Sequence, residues 1–148
     1  MVNAVSRRLL KELKDYQKER NQDLIELSPI QEDNILVWKA VLRGEADTPY
    51  EGGQWTLRIE IPKNYPIQPP KIKFLTKICH PNISFKTGEI CLDILKAAWS
   101  PAWTLQSACT AIRLLLSNPE PTSPLNCDAV RMYTQLCAMS PTDNEGNA

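Results

Sequence analysis

The residues best equipped for chemistry lie close together: His80, the chain's single histidine, then Asn82, Cys91 and Asp93, all within HPNISFKTGEICLDIL at 80–95. A thiol near an imidazole raises three chemistries. In a zinc site Cys79, His80 and Cys91 would be ligands, but no CxxC or HxxxH spacing supports them, and adjacent Cys79 and His80 tend to opposite sides of an extended chain. No metal is expected. In a cysteine hydrolase His80 would lower the Cys91 thiol from its usual ~8.5, yet nothing obvious supplies a third, orienting group. Pro81 restricts His80 to extended geometry, which suits a structural imidazole bonding to loop backbone.

The third chemistry is a cysteine that accepts an already activated acyl group. Thioester exchange is nearly isoenergetic, so the thiol needs little activation. It needs access, an anchored loop and a donor for the tetrahedral oxyanion. The side-chain amide of Asn82 offers such a donor, and one hydrogen bond of that kind is worth ~3 kcal/mol to a transition state. Asn82 is equally suited to forming an Asx turn. Among the other thiols, Cys109 falls on the apolar face of a helix and Cys137 within the last one, where small buried hydrophobe is the default description.

These side chains must be carried by elements, and the pattern supplies them. Val5, Leu9, Leu13 and Tyr16 recur at helical spacing across residues 4–19, with Arg7, Arg8, Lys11, Lys14 and Lys18 on the other faces. Residues 23–27 form a weak strand and 35–43 a better one, ended by Gly44. Residues 55–61 alternate without fault, with Trp55, Leu57, Ile59 and Ile61 on one face. Four prolines in PKNYPIQPP (62–70) make a stiff connector, and a fourth strand follows at 71–75. Short links favour an antiparallel meander. Cys79 to Pro101 reads as an ordered functional loop. Residues 104–118 restore the helical period, with Thr104 as N-cap, Pro119 as stop, and Leu105, Ala108, Cys109, Ile112, Leu115 and Leu116 inward. A short helix is expected at 128–139, then a polar, disordered tail at 140–148.

Composition bounds the function. The chain has 148 residues and a balanced charge, which suits one α+β domain and suggests neither disorder nor nucleic-acid binding. No apolar run reaches the ~20 residues of a membrane helix, and the N-terminus lacks a signal-peptide core. An intracellular, soluble protein is expected, and its five cysteines, an odd number, are read as reduced thiols. Residues 1–20 carry six Lys/Arg against three Asp/Glu, a solvated face or a dock for an acidic partner.

Taken together, the basic first helix, the PY-EGG turn (Pro49 to Gly53), YPIQPP, HPN, GEICLDIL, WSPAWTL and the SPL turn resemble the ubiquitin-conjugating enzymes, in that family's order and spacing over residues 4 to about 126. The run FKTGEICLDILKAAWSPAWTLQSACTAI followed by NPEPTSPLNCD resembles most closely the peroxisomal branch, which acts in recycling peroxisomal import receptors. The resemblance implies that Cys91 carries ubiquitin as a thioester, received from an activating enzyme and passed on with a RING-type ligase. It places Asn82 at the oxyanion and loop-holding position and His80 and Pro81 at structural ones. Leu92 and Asp93 follow the nucleophile as in many relatives, where the acidic residue arranges donor ubiquitin or the incoming amine; a loop-capping carboxylate is the alternative. Ligase contact would fall to Arg8, Lys11, Ile67, Pro101 and Ala102. Trp99 and Trp103 are read as core that fixes the loop. No cofactor is implied, since the activating enzyme spends the ATP, and membrane attachment would come through a partner at the cytosolic face of the peroxisome.

Two departures stand out. Many relatives have an acidic residue just before the proline of the turn facing the cysteine, where it helps deprotonate a lysine; here that residue is Ser123. Serine offers only a hydrogen bond, in keeping with a branch associated with cysteine as well as lysine acceptors. Relatives also place two helices after the SPL turn, whereas the 23 residues after Leu125 read as one helix. A single catalytic domain over 1–139 with a shortened C-terminal helical region follows. A scaffold that binds partners without productive transfer is the alternative reading.

Overall fold

The computed structural model describes residues 3–120; Ser123, the expected helix at 128–139 and the tail at 140–148 lie outside the described residues. Helix α1 (Ala4–Lys18) leads into strands β1 (Leu24–Gln31), β2 (Asn34–Arg43), β3 (Gln54–Glu60) and β4 (Lys71–Phe74), followed by the loop region and helix α2 (Leu105–Ser117). The strands form one antiparallel sheet in sequence order, the expected meander. The fold is α+β.

Register explains the core. Leu27, Ala40, Leu57 and Phe74 are partners across the sheet, and Trp38, Ile59 and Ile72 form the next row, so alternation stacks buried side chains on one face. Helix α2 covers that face with Leu105, Ala108, Cys109, Ile112, Leu115 and Leu116, the set its periodicity predicts. Full burial of each large aliphatic side chain is worth about 1.5–3 kcal/mol. Thr104 caps α2 by accepting from the Ser107 amide, while Ser107 Oγ accepts from the Thr104 amide, a reciprocal box that satisfies two orphan donors.

Two strands differ from expectation. Strand β1, expected over 23–27, runs on to Gln31 through Pro29, which it can hold because it lies at the sheet edge, where a missing amide donor costs no ladder bond. Strand β4 stops at Phe74, and Leu75 turns out exposed. The Phe74 amide there bonds to Gly88 of the following loop instead of a fifth strand.

Candidate active site

The Cys79–Pro101 region is ordered by a small antiparallel pairing. Ile83 bridges to Ile90, and the Cys91 amide donates to the Asn82 carbonyl at 2.8 Å, so HPNI and EIC run side by side. Asp93–Leu95 then form a single 3-10 turn. Cys91 is half-buried and, with Leu92 and Asp93, opens onto a groove of about 520 Å³ whose opposite wall includes Ala111 and Leu114 of α2 and its C-cap, Asn118. Asp93 is exposed, and its main-chain carbonyl accepts from the amides of Lys96 and Ala98. Leu92 packs against the core, and Pro81 is buried.

His80 and Asn82 lock this loop to the end of α2. In a continuing helix the Leu115 carbonyl would accept from the amide four residues on, but residue 119 is proline and has none. His80 Nε2 supplies the missing donor at 2.8 Å, while Nδ1 accepts from the Asn82 amide at 3.0 Å. Those partners specify a neutral ring protonated on Nε2. Burial lowers its pKa to about 4, against the opposing pull of the Leu115 and Leu116 carbonyls. With both nitrogens committed, His80 has none to offer Cys91 as a base.

Asn82 is fully buried and grips the main chain of one residue twice: Nδ2 donates to the Glu120 carbonyl and Oδ1 accepts from the Glu120 amide, each at 2.7 Å. The amide on which an oxyanion role depends thus holds the chain as it leaves α2. Tyr50 braces the other flank by donating to the Cys79 carbonyl at 2.6 Å.

The residues expected to meet a ligase lie on three separate segments that one polar cluster ties together. Ile67 is 75% exposed, and Lys11, Pro101 and Ala102 are exposed as well. Arg8 is not free: Nε donates to Glu12 at 3.0 Å, and Nη2 donates to the carbonyls of Pro101 at 2.9 Å and Trp103 at 2.7 Å. Tyr65 donates to Glu12 at 2.6 Å, and Trp99 Nε1 donates to the Pro66 carbonyl at 2.9 Å, so connector, loop and α1 share one network. Burial first, and the Glu12 carboxyl second, push the Tyr65 phenol far above its usual range.

Glu12 itself was missed by pattern reading. It is only 7% exposed, and its Oε1 accepts from the Leu105 amide at the start of α2 at 2.6 Å. The signal was present, since position 12 lies three residues after Leu9 and four before Tyr16, inside the apolar stripe, where a lone carboxylate requires buried donors.

Known proteins supply the comparison. The ubiquitin-conjugating enzyme family model matches residues 8–139. Protein PEROXIN-4 of Arabidopsis thaliana is 50% identical, with 93% of this chain and 98% of that protein covered. Ubiquitin-conjugating enzyme E2 pex4 of Dictyostelium discoideum is 52% identical, covering 87% of this chain and 96% of its own. Among solved structures, the H. polymorpha ubiquitin-conjugating enzyme Pex4p, in complex with the soluble domain of Pex22p, superposes with a TM-score of 0.83 at 41% identity, covering 97% of this chain and 93% of that one. The chain therefore belongs to the ubiquitin-conjugating enzyme family, a ubiquitin transferase whose likeness is to the peroxin-4 members.

Proposed function

We propose that Cys91 carries ubiquitin as a thioester and passes it, with a RING-type ligase, to protein substrates that include peroxisomal import receptors. The observation that carries this reading is a half-buried Cys91 lining an open groove, on a loop pinned at both flanks, with both nitrogens of the histidine committed to other partners. Such a site suits acyl exchange better than hydrolysis. The Cys91 thiolate attacks the thioester carbonyl on the activating enzyme, a tetrahedral oxyanion forms, and the enzyme's sulfur leaves with its electron pair. In the second step an acceptor amine or thiol attacks the new carbonyl and Cys91 is released as thiolate.

Asn82 would serve both steps. Its grip on Glu120 keeps the groove wall in register with Cys91; stabilising the oxyanion requires that Nδ2 turn a hydrogen to the acyl oxygen as well, a gain of about 3 kcal/mol where such donors have been removed elsewhere. Asp93, exposed on the groove rim, would orient the incoming acceptor. Ser123, with no ionisable group, would leave cysteine a more competitive acceptor than lysine, since a thiol near ~8.5 loses its proton more readily than an ammonium near ~10.4. The ligase would dock on Lys11, Ile67, Pro101, Ala102 and the exposed part of Arg8. No helix among the described residues is long and apolar enough to cross a membrane, and the Pex4p relative is seen with a Pex22p domain. A comparable anchoring partner would hold this protein at the cytosolic face of the peroxisome.

The test is a gel. Incubation with activating enzyme, ATP and ubiquitin should give an adduct that thiol reductant removes, and Cys91→Ser should convert it to a reductant-resistant oxyester. A protein that only binds partners would give neither band, and that result would end the carrier reading.

A further inference from the structure

The buried carboxyl of Glu12 takes no part in acyl transfer, yet everything around it donates. Arg8 Nε and the Tyr65 hydroxyl converge on Oε2, and the Leu105 amide reaches Oε1. A buried group that three donors face calls for a carboxylate specifically. Held in this way, the guanidinium of Arg8 has one plane available, and it uses Nη2 on the Pro101 and Trp103 carbonyls. Its carbon also lies 5.7 Å from the centre of the Tyr65 ring, two residues before exposed Ile67.

We propose that Glu12 is a positioning residue for ligase engagement: by fixing Arg8 against the Pro101 and Trp103 carbonyls, with Tyr65 of the connector donating to the same carboxylate oxygen, it sets the spacing between α1, the connector and the Pro101–Ala102 loop that a RING domain must match. The proposal rests on the docking surface assigned above. Glu12 touches no ligase itself and acts through Arg8. Replacing it with glutamine keeps the shape but removes the charge, and its NH2 must face either Arg8 Nε and the Tyr65 hydroxyl, at the Oε2 position, or the Leu105 amide, at the Oε1 position. In both orientations Arg8 loses its charged partner, so the clamp on the loop is what loosens.

The experiment uses purified thioester of the full chain and a RING domain chosen because it accelerates discharge of the wild-type thioester onto free amine. Ligase is titrated against wild type, Glu12→Gln, Tyr65→Phe, Ile67→Ala, Arg8→Ala and the Glu12→Gln/Arg8→Ala double variant. For Glu12→Gln the half-saturating ligase concentration should rise about tenfold, the order of one lost charge-assisted hydrogen bond, with the unstimulated and maximal rates within about twofold of wild type. Tyr65→Phe, which removes one hydroxyl and keeps the ring, should shift it about threefold. The double variant should be no worse than Arg8→Ala alone, a non-additivity that a general loss of stability would not produce. If Ile67→Ala raises the half-saturating concentration while Glu12→Gln does not, or if the Glu12 and Arg8 effects simply add, the positioning role is wrong. If Ile67→Ala also leaves the titration unchanged, the docking surface itself is misplaced and the inference falls with it.

Discussion

Position 80 needs a group that donates on one side and accepts on the other, and neutral imidazole is the side chain that does this in a rigid plane. The donor side satisfies the carbonyl that Pro119 leaves orphaned at the end of α2; the acceptor side receives the Asn82 amide. Charging the ring would turn a hydrogen on Nδ1 against that amide, which agrees with the lowering of its pKa to about 4 by burial. The sign of the resulting pH dependence follows. In the unfolded chain the ring protonates near 6.5, whereas in the folded protein it stays neutral until about 4. Stability from this residue is therefore complete above pH 6.5, drains away as pH falls toward 4, and changes no further below that. The total is about 3 kcal/mol at about 1.4 kcal/mol per pKa unit. Urea unfolding of wild type and His80→Gln across pH 4 to 7 should show curves that converge on acidification, and parallel curves would mean the ring does not titrate as described. At this scale the sequence shows that Pro119 deprives Leu115 of a partner and that position 80 is extended. It does not show that one answers the other, because 35 residues separate them and only the tertiary fold brings them together.

The elements were largely legible, since each carries its own period. The inward set of α2 and the faultless alternation of β3 are local signals reinforced by burial on one face. The loop that presents Cys91 has no period, and its shape depends on contacts made at a distance. Gly88 shows how tightly it is set: it has φ +77°, and a Cβ there would lie 2.0 Å from the Phe74 carbonyl oxygen, while its own carbonyl accepts from the Phe74 amide at 2.9 Å. Loop and strand β4 are in backbone contact, with no room for a side chain. Gly52 offers a natural control, having φ +83° but nothing within 4 Å of the point where a methyl group would stand. Gly52→Ala should cost only the strain of a left-handed residue, about 1 kcal/mol, whereas Gly88→Ala adds a backbone collision and should cost about 2–3 kcal/mol. Because Cys91 lies three residues on, Gly88→Ala should also slow thioester formation. Denaturant midpoints give the first comparison and a timed charging reaction the second. Equal costs for the two substitutions would remove the claim that β4 and the loop are closely apposed.

Among the described residues the three thiols, Cys79, Cys91 and Cys109, differ in burial, and this difference tests the packing of α2 on the sheet. Cys91, at the groove, and Cys79 are both half-buried, Cys79 with its thiol pKa raised by desolvation, and Cys109 is fully enclosed between α2 and the sheet. Burial, and then the nearby Glu12 carboxyl, push the Cys109 thiol up to about 12. A thiolate is the species that reacts with alkylating agents, so Cys109 is protected twice, by the closed core and by its own protonation. In native buffer at neutral pH, iodoacetamide should label Cys91 first and Cys79 more slowly, and should leave Cys109 unmodified. Labelling of Cys109 should require opening of the whole core, so its rate should be suppressed by the unfolding equilibrium, about 10³-fold or more for a domain of ordinary stability. Adding urea should accelerate it with the same slope as global unfolding measured by tryptophan fluorescence. Peptide mass spectrometry resolves these three sites from one another and from Cys127 and Cys137. If Cys109 reacted in native buffer as fast as Cys91, or with a shallower urea slope than global unfolding, then α2 would be detaching from the sheet on its own. His80 and Asn82, which tie the active-site loop to the end of α2 and to Glu120, would then be holding it to a moving support.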